Sequence, residues 1–302
     1  MHIPDGILDT PVWAAMNVVT VPAVGWMARK AKVDVDEARL PLLGVMGAFV
    51  FAAQTVNFPV GVGTTGHLLG GALLAVTLGP AAAAIVMTAI IAVQALIFQD
   101  GGILALGANV FNMAILGVLA GYLPYHFWGA TSWRRAAIFL GGVLSVLTGA
   151  CLALGQILLS GAAMPWSVVS LSLVFFLITA GMEGAITLAV FEAIERLNPR
   201  WVAEPAGPRR AWGLLAAMAL TMGLAGALFA SASPDVLHRL TEQIGVAQRA
   251  TLTLAGPLPD YELPGNGAPW IRRAGAGLCG IVLIYALCLV SARLLRRRTA
   301  TP

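Results

Sequence analysis

Residues 136–159 read AAIFLGGVLSVLTGACLALGQILL, and this stretch decides the fold class. It holds no charged residue. As an α-helix it rises about 36 Å at 1.5 Å per residue, and the hydrocarbon core of a bilayer is about 30 Å thick. Arg134 and Arg135 stand directly before it, where a membrane helix carries a basic flank. Outward from this stretch, further apolar segments lie at roughly 11–28, 40–57, 64–79, 81–98, 104–124, 166–190, 211–231 and 274–292. The segment at 64–79 is short and Gly-rich, and it meets the next at Gly79-Pro80, a turn signal. Membrane strands would need a closed barrel and alternating patterning. These runs are too long and too continuous for that. The reading is an all-α polytopic membrane protein of about nine spans.

Composition agrees. Of 302 residues, 59% are apolar and 11% are charged, against roughly 25% charged in a soluble chain. This excludes a disordered chain and an ordinary soluble enzyme. The net charge of +4 does not by itself point to nucleic acid, because its meaning depends on where the charges lie. With the N-terminus outside, the inner loops hold Arg29, Lys30, Lys32 and Arg39, then Arg134 and Arg135, then Arg196, Arg200, Arg209 and Arg210. The tail adds Arg293, Arg296, Arg297 and Arg298. Only Arg239, Arg249, Arg272 and Arg273 of the 18 basic residues fall outside. The bias predicts an outer N-terminus and a cytoplasmic C-terminus in the cell (inner) membrane.

The first residues do not read as a cleaved signal. Asp5 and Asp9 precede the first apolar stretch and the basic residues follow it, the reverse of a secretory signal. A bulky second residue disfavours removal of Met1, so a free Met1 amine is expected on the outer side. Cys151, Cys279 and Cys288 all fall in spans. They read as small packing residues, and no metal or redox spacing links them.

The Pro-rich, basic stretch LNPRWVAEPAGPRR at 197–210 divides the chain. The expected units are 1–199, with seven spans, and 200–302, with two spans around an outer segment at 232–269.

Four histidines could carry chemistry. His2 follows the chain terminus, where it is either merely solvated or part of a chelate. The Met1 amine, the amide nitrogen between Met1 and His2, and the His2 imidazole form a tridentate nitrogen set. Planar nitrogen ligation suits Ni²⁺ or Cu²⁺ better than Mg²⁺ or Ca²⁺. His67 opens the 64–79 segment after Gly61, Gly63 and Gly66. It either bonds a carbonyl at the interface or supplies a fourth nitrogen. That both lie on the predicted outer side is what joins them. His126 reads as an interfacial anchor and His238 as a surface residue.

Polar residues inside the spans are read as pairs. Gln54 and Asn57 share one helix face, as do Asn109 and Asn112. They either bond between helices or orient the histidines, the supporting task around a metal. Glu183 is a bonded structural acid or a carrier of charge, and Asp100 a turn cap. No phosphate loop and no H-E-x-x-H motif occurs. Uptake against a gradient would need energy from a partner.

Three strings now carry a resemblance: MHIPDGILD at 1–9, FVFAAQTVNFPVGVGTTGHLLGGALLA at 49–75 and VQALIFQDGGILALGANVFNM at 93–113. They resemble the CbiM/NikM family, the substrate-capturing S components of energy-coupling factor (ECF) transporters for cobalt and nickel. The C-terminal unit resembles NikN-type proteins. SPDVLHRL at 233–240 is similar to their Pro-Asp-Gly-Leu-Glu signature, with Val236 in place of Gly and His238 in place of Glu, and PLPDYELPG at 257–265 is similar to its later part. The resemblance implies that Met1, His2 and the imidazole matching His67 hold Ni²⁺ or Co²⁺ as transported substrate. It also implies a transmembrane coupling subunit and two cytoplasmic ATPase subunits as partners, with no nucleic acid. Planar ligation and the NikN-like tail lean toward nickel. A stand-alone metal channel or secondary carrier is the alternative reading. A metal-dependent hydrolase using His67 is a third, with no nucleophile and base pair to support it.

Overall fold

The computed structural model describes residues 1–34, 40–197, 209–229 and 233–295. Arg39, Arg200, the basic tail 296–298 and the expected unit boundary at 199/200 lie outside the described residues.

The described residues are all-α apart from one small hairpin. Helix α1 covers Thr10–Asp34 and α2 Leu40–Gln54. Strands β1 (Phe58–Gly61) and β2 (Thr64–Gly66) pair antiparallel, with Phe58 opposite Gly66. Helix α3 is Gly71–Leu78. Helix α4 (Pro80–Phe98) ends in a π turn, and α5 (Leu106–Trp128) contains another. Then come α6 (Arg134–Leu159), α7 (Trp166–Leu197), α8 (Arg209–Phe229), the short outer α9 (Val236–Gln243) and α10 (Pro269–Leu295). Among the described residues, six helices are long and apolar enough to cross a membrane: α1, α4, α5, α6, α7 and α10.

The surface fits lipid. Val18, Val21, Leu159, Val174, Leu177 and Val282 are each more than half exposed, a face that water would not tolerate at this extent. Tryptophans gather at both ends of the bundle. Trp166 and Trp270 open α7 and α10, while Trp26, Trp128 and Trp133 lie at the opposite end. Such rings settle at the two membrane interfaces. Of the three cysteines read as packing residues, Cys288 is buried on α10, while Cys151 and Cys279 are exposed.

The segment 64–79 differs from the expectation of a helix throughout. Only Gly71–Leu78 is helical, about 12 Å of rise and too short to cross alone. The preceding residues form β2 and then run without helix from His67 to Gly70. The reason is local. Gly70 has φ of 76°, and a Cβ there would sit 2.4 Å from Val50 Cγ1. The chain must turn left-handed and pass close to α2, which only glycine permits. The backbone groups this break frees are taken by Glu183 of α7, which accepts from Leu69 N at 2.7 Å and Gly70 N at 2.8 Å. The expected structural acid is therefore the one found. The result is a loop that descends into one end of the bundle and carries His67 with it.

Helices α8 and α10 pack together and against α2, so the C-terminal helices join the main bundle. The segment between them, 233–268, folds over the hairpin end. Thr65 N donates to Pro234 O at 3.0 Å, and Thr65 pairs with Asp235 as a parallel bridge.

Candidate metal site

Residues 1–8 fold into the bundle because their apolar side chains and one acid find places there. Ile3, Ile7 and Leu8 are buried. Asp5 is 5% exposed and accepts from Ile103 N at 3.1 Å, Leu104 N at 2.8 Å and Ala105 N at 3.1 Å, just before α5 begins. Asn109 clamps the backbone of Ile3, accepting from its N–H at 2.8 Å and donating to its carbonyl at 3.0 Å. Gly6 has φ of 84°, and a Cβ there would lie 2.0 Å from the carbonyl oxygen of Arg249. Asp5→Ala should therefore strand three backbone donors and free the N-terminal segment. A loss of about 3 kcal/mol is expected, read as a lower midpoint of thermal unfolding together with weaker Ni²⁺ binding.

Pinned in this way, the chain start meets the descending loop. The Met1 amine lies 2.9 Å from His67 Nε2 and 2.5 Å from Asp235 Oδ2. His67 Nδ1 is 3.0 Å from the carbonyl of Leu68. It donates there as the N–H, which leaves Nε2 with a free lone pair. The His2 ring stacks parallel to that of His67, with centroids 6.0 Å apart and planes 3° apart. His2 Nδ1 contacts Asp100 Oδ1 at 3.0 Å, while His2 Nε2 is buried with no partner among the described residues, which is rare for a buried nitrogen. Against Met1 and His67 lies a cavity of about 10 Å³, lined also by Thr65, Thr179 and Asp235.

Two carboxylates flank the nitrogens. Burial works against ionisation of Asp235, but the charge of the Met1 amine outweighs it and pulls the pKa down to about 2. Asp235 Oδ1 also accepts from His238 N at 2.7 Å, as the cap of α9. Asp100 is likewise opposed by burial, yet the charge and hydrogen bond of His2 hold it well below the usual carboxylate range. Its other oxygen accepts from Tyr261 Oη at 2.7 Å.

Met1, His2 and His67 are thus brought together. The four polar residues expected beside the rings are not at them. Asn109 acts one residue away, on Ile3. Gln54 accepts from Gln94 at 2.8 Å and donates to Leu69 O at 2.6 Å. Asn112 exchanges hydrogen bonds of 2.8 Å with Gln156. Asn57 lies after α2 and, among the described residues, hydrogen-bonds to none of the three. Bonding between elements wins for these side chains because their helices meet other helices there. Asp100 is no turn cap; it holds His2. Asp235 and Tyr261 come from the outer segment, and sequence spacing gave no distance between them and His2 or His67. His238 is exposed and 3.3 Å from Glu242, the surface residue expected.

Among the described residues no three His, Cys, Asp or Glu side chains cluster to hold a metal. Fold and geometry together define a multi-pass membrane protein with a nitrogen-rich cleft built on its own N-terminus. A family model described as "Cobalt uptake substrate-specific transmembrane region", CbiM, matches residues 2–201, and one described as "PDGLE domain" matches residues 209–297. The chain belongs to the CbiM family, with a PDGLE domain behind it. It is 31% identical to the fused nickel transport protein NikMN of Rhodobacter capsulatus, over 99% of each chain. It is 37% identical to the cobalt transport protein CbiM of Acetoanaerobium sticklandii, over 49% of this chain and 61% of that one. A solved transition metal transporter aligns over 65% of this chain and 93% of its own, with 32% identity and a TM-score of 0.57.

Proposed function

We propose that the protein is the substrate-capturing component of an ECF-type importer of Ni²⁺, with Co²⁺ second, and that Met1, His2 and His67 take the ion. One observation carries the reading: the Met1 amine lies 2.9 Å from His67 Nε2, under a parallel His2 ring with an unpartnered nitrogen. The amine, the His2 amide and the two imidazoles make four nitrogens, a set that favours a planar ion such as Ni²⁺. The six-membered chelate ring through the His2 amide closes on Nδ1. Binding therefore turns the imidazole about its Cβ–Cγ bond and passes Asp100 to Nε2. Asp235 releases the amine as the ion arrives.

In this reading the site faces outward, the C-terminus is cytoplasmic, and the chain divides at 199/200 into a capture unit and an auxiliary unit. The 14-to-4 split of basic residues supports that orientation. A transmembrane coupling subunit and two cytoplasmic ATPase subunits, separate from this chain, drive release inward.

Amine and amide must lose protons to bind. Calorimetry of Ni²⁺ binding in two buffers of different ionisation enthalpy should report proton release, with affinity falling as pH drops from 8 to 6. Binding without proton release would exclude the amine–amide chelate. Uptake of Ni²⁺ by cells should require the coupling and ATPase subunits; uptake without them would favour a stand-alone channel or carrier.

A further inference from the structure

We propose that Tyr261, in the outer segment of the C-terminal unit, is a positioning residue for metal capture: its hydroxyl, acting through Asp100, sets the orientation of the His2 ring. The proposal rests on the reading of Met1, His2 and His67 as the capturing group.

The geometry is a chain of two contacts. Tyr261 Oη donates to Asp100 Oδ2 at 2.7 Å, and Asp100 Oδ1 faces His2 Nδ1 at 3.0 Å. Each carboxylate oxygen thus has one task. Asp100 sits in the loop after α4 with 36% of its side chain exposed. Without the tyrosine, that carboxylate could turn toward water. The tyrosine is itself fixed. Its ring stacks on Phe98 with centroids 4.6 Å apart and planes 11° apart, and Phe98 is 1% exposed.

The backbone points the same way. Among the described residues, three non-glycine residues have positive φ: Gln99 at 59°, Asp260 at 53° and Tyr261 at 58°. One directly precedes Asp100, and the other two are Tyr261 and its neighbour. Left-handed non-glycine residues persist where the surroundings over-determine them. Here both sides of a single hydrogen bond are held that way. A tyrosine needed only for packing would not require its hydroxyl aimed at a carboxylate. In the structure Asp100 holds Nδ1; once the ring turns to give Nδ1 to the ion, the same carboxylate takes Nε2, and an imidazole whose non-ligating nitrogen is held by an oriented carboxylate is both aligned and more basic, which strengthens a metal bond.

The test uses the full chain with its free Met1 amine, purified in detergent, and Ni²⁺ as the probe. Tyr261→Phe keeps the stacked ring and removes the hydroxyl. It should weaken Ni²⁺ binding about 10-fold and shift the visible absorption band of the bound ion. Asp100→Asn should weaken binding at least as much. The double variant should bind no more weakly than Asp100→Asn alone, because the hydroxyl acts through that carboxylate. Wild-type affinity and an unmoved band in Tyr261→Phe would overturn the proposal, as would losses that multiply in the double variant. His2→Ala separates this outcome from failure of the site itself. If His2→Ala binds normally, the capturing group is misassigned and Tyr261 falls with it. If His2→Ala is inactive while Tyr261→Phe is normal, Tyr261 alone is excluded.

Discussion

A chain carrying one additional residue ahead of Met1 is expected to lose Ni²⁺ affinity by on the order of 100-fold or more, beyond what loss of a supporting contact produces. Nothing in His2 or His67 changes in this variant. The Met1 nitrogen becomes an amide, which carries no charge for Asp235, and the terminal amine is moved off its place against His67 Nε2. Space is the second obstacle. Met1 is 6% exposed, its Sδ-methyl reaches toward Gly149, and the neighbouring cavity is about 10 Å³. An added residue has to displace Asp235 or lift the whole N-terminal segment off Asn109 and the backbone that Asp5 caps. His2→Ala is the companion variant and should lose binding comparably, since it removes one chelating nitrogen and leaves the amine. Calorimetry on purified protein reads both. Normal binding by the extended chain would show that the amine is not a ligand.

The largest effect on stability is expected at Glu183. It is 1% exposed and accepts from two consecutive backbone N–H groups, Leu69 and Gly70, at the break before α3. Glu183→Ala leaves both donors buried without an acceptor. Each such donor costs about 1–3 kcal/mol, so a loss of about 4 kcal/mol and a fall in the unfolding midpoint of about 10 °C are expected. Glu183→Gln keeps one acceptor but presents an NH₂ group to the second N–H, so it should fall between the two. Metal binding should weaken as well, because Leu69 and Gly70 are two and three residues from His67. If Glu183→Ala unfolds at the wild-type midpoint in detergent, water or another group must satisfy those donors, and the loop does not depend on the acid.

The outer segment joins these two results. It touches the N-terminal segment through Asp235 at the Met1 amine and through Arg249 and Thr251 against Gly6 and Asp5, and it reaches the loop after α4 through Tyr261 at Asp100. Thr251 N donates to Asp5 O at 2.9 Å. The chain start is therefore covered by the segment between α8 and α10.

Most of the membrane architecture was legible in the sequence, because a bilayer imposes its thickness on every apolar run. The 136–159 stretch appears as α6 with its arginines at the helix start. The same rule failed at 64–79. Hydropathy sees apolar and glycine residues there, but it does not see Val50 packed against Gly70 or the acid on α7 that makes a broken backbone tolerable. Among the site residues, Met1, His2 and His67 were readable as donors by element type and side of the membrane. The polar pairs, each sharing a helix face, were read either as bonding between helices or as orienting the histidines, and Gln54 and Asn112 do the former. Facing the interior is a property of one helix, while touching a given ring depends on how several helices are set. Asp100 was read as a turn cap and holds His2 instead; Asp235, for which the sequence offered no reading of its own, caps α9 with one oxygen while holding the amine with the other.

Sequence alone determined that this chain is a helical membrane protein, and it determined which atoms could bind a metal, because both follow from local chemistry: the apolar length of a segment and the basicity of a nitrogen. Tertiary structure alone decided that those atoms meet. The Met1 amine and His67 lie 66 positions apart, and Asp235 is 234 from the amine. Only the packing of an inward-folded N-terminus, a glycine-broken loop and an overlying outer segment brings them within hydrogen-bond reach.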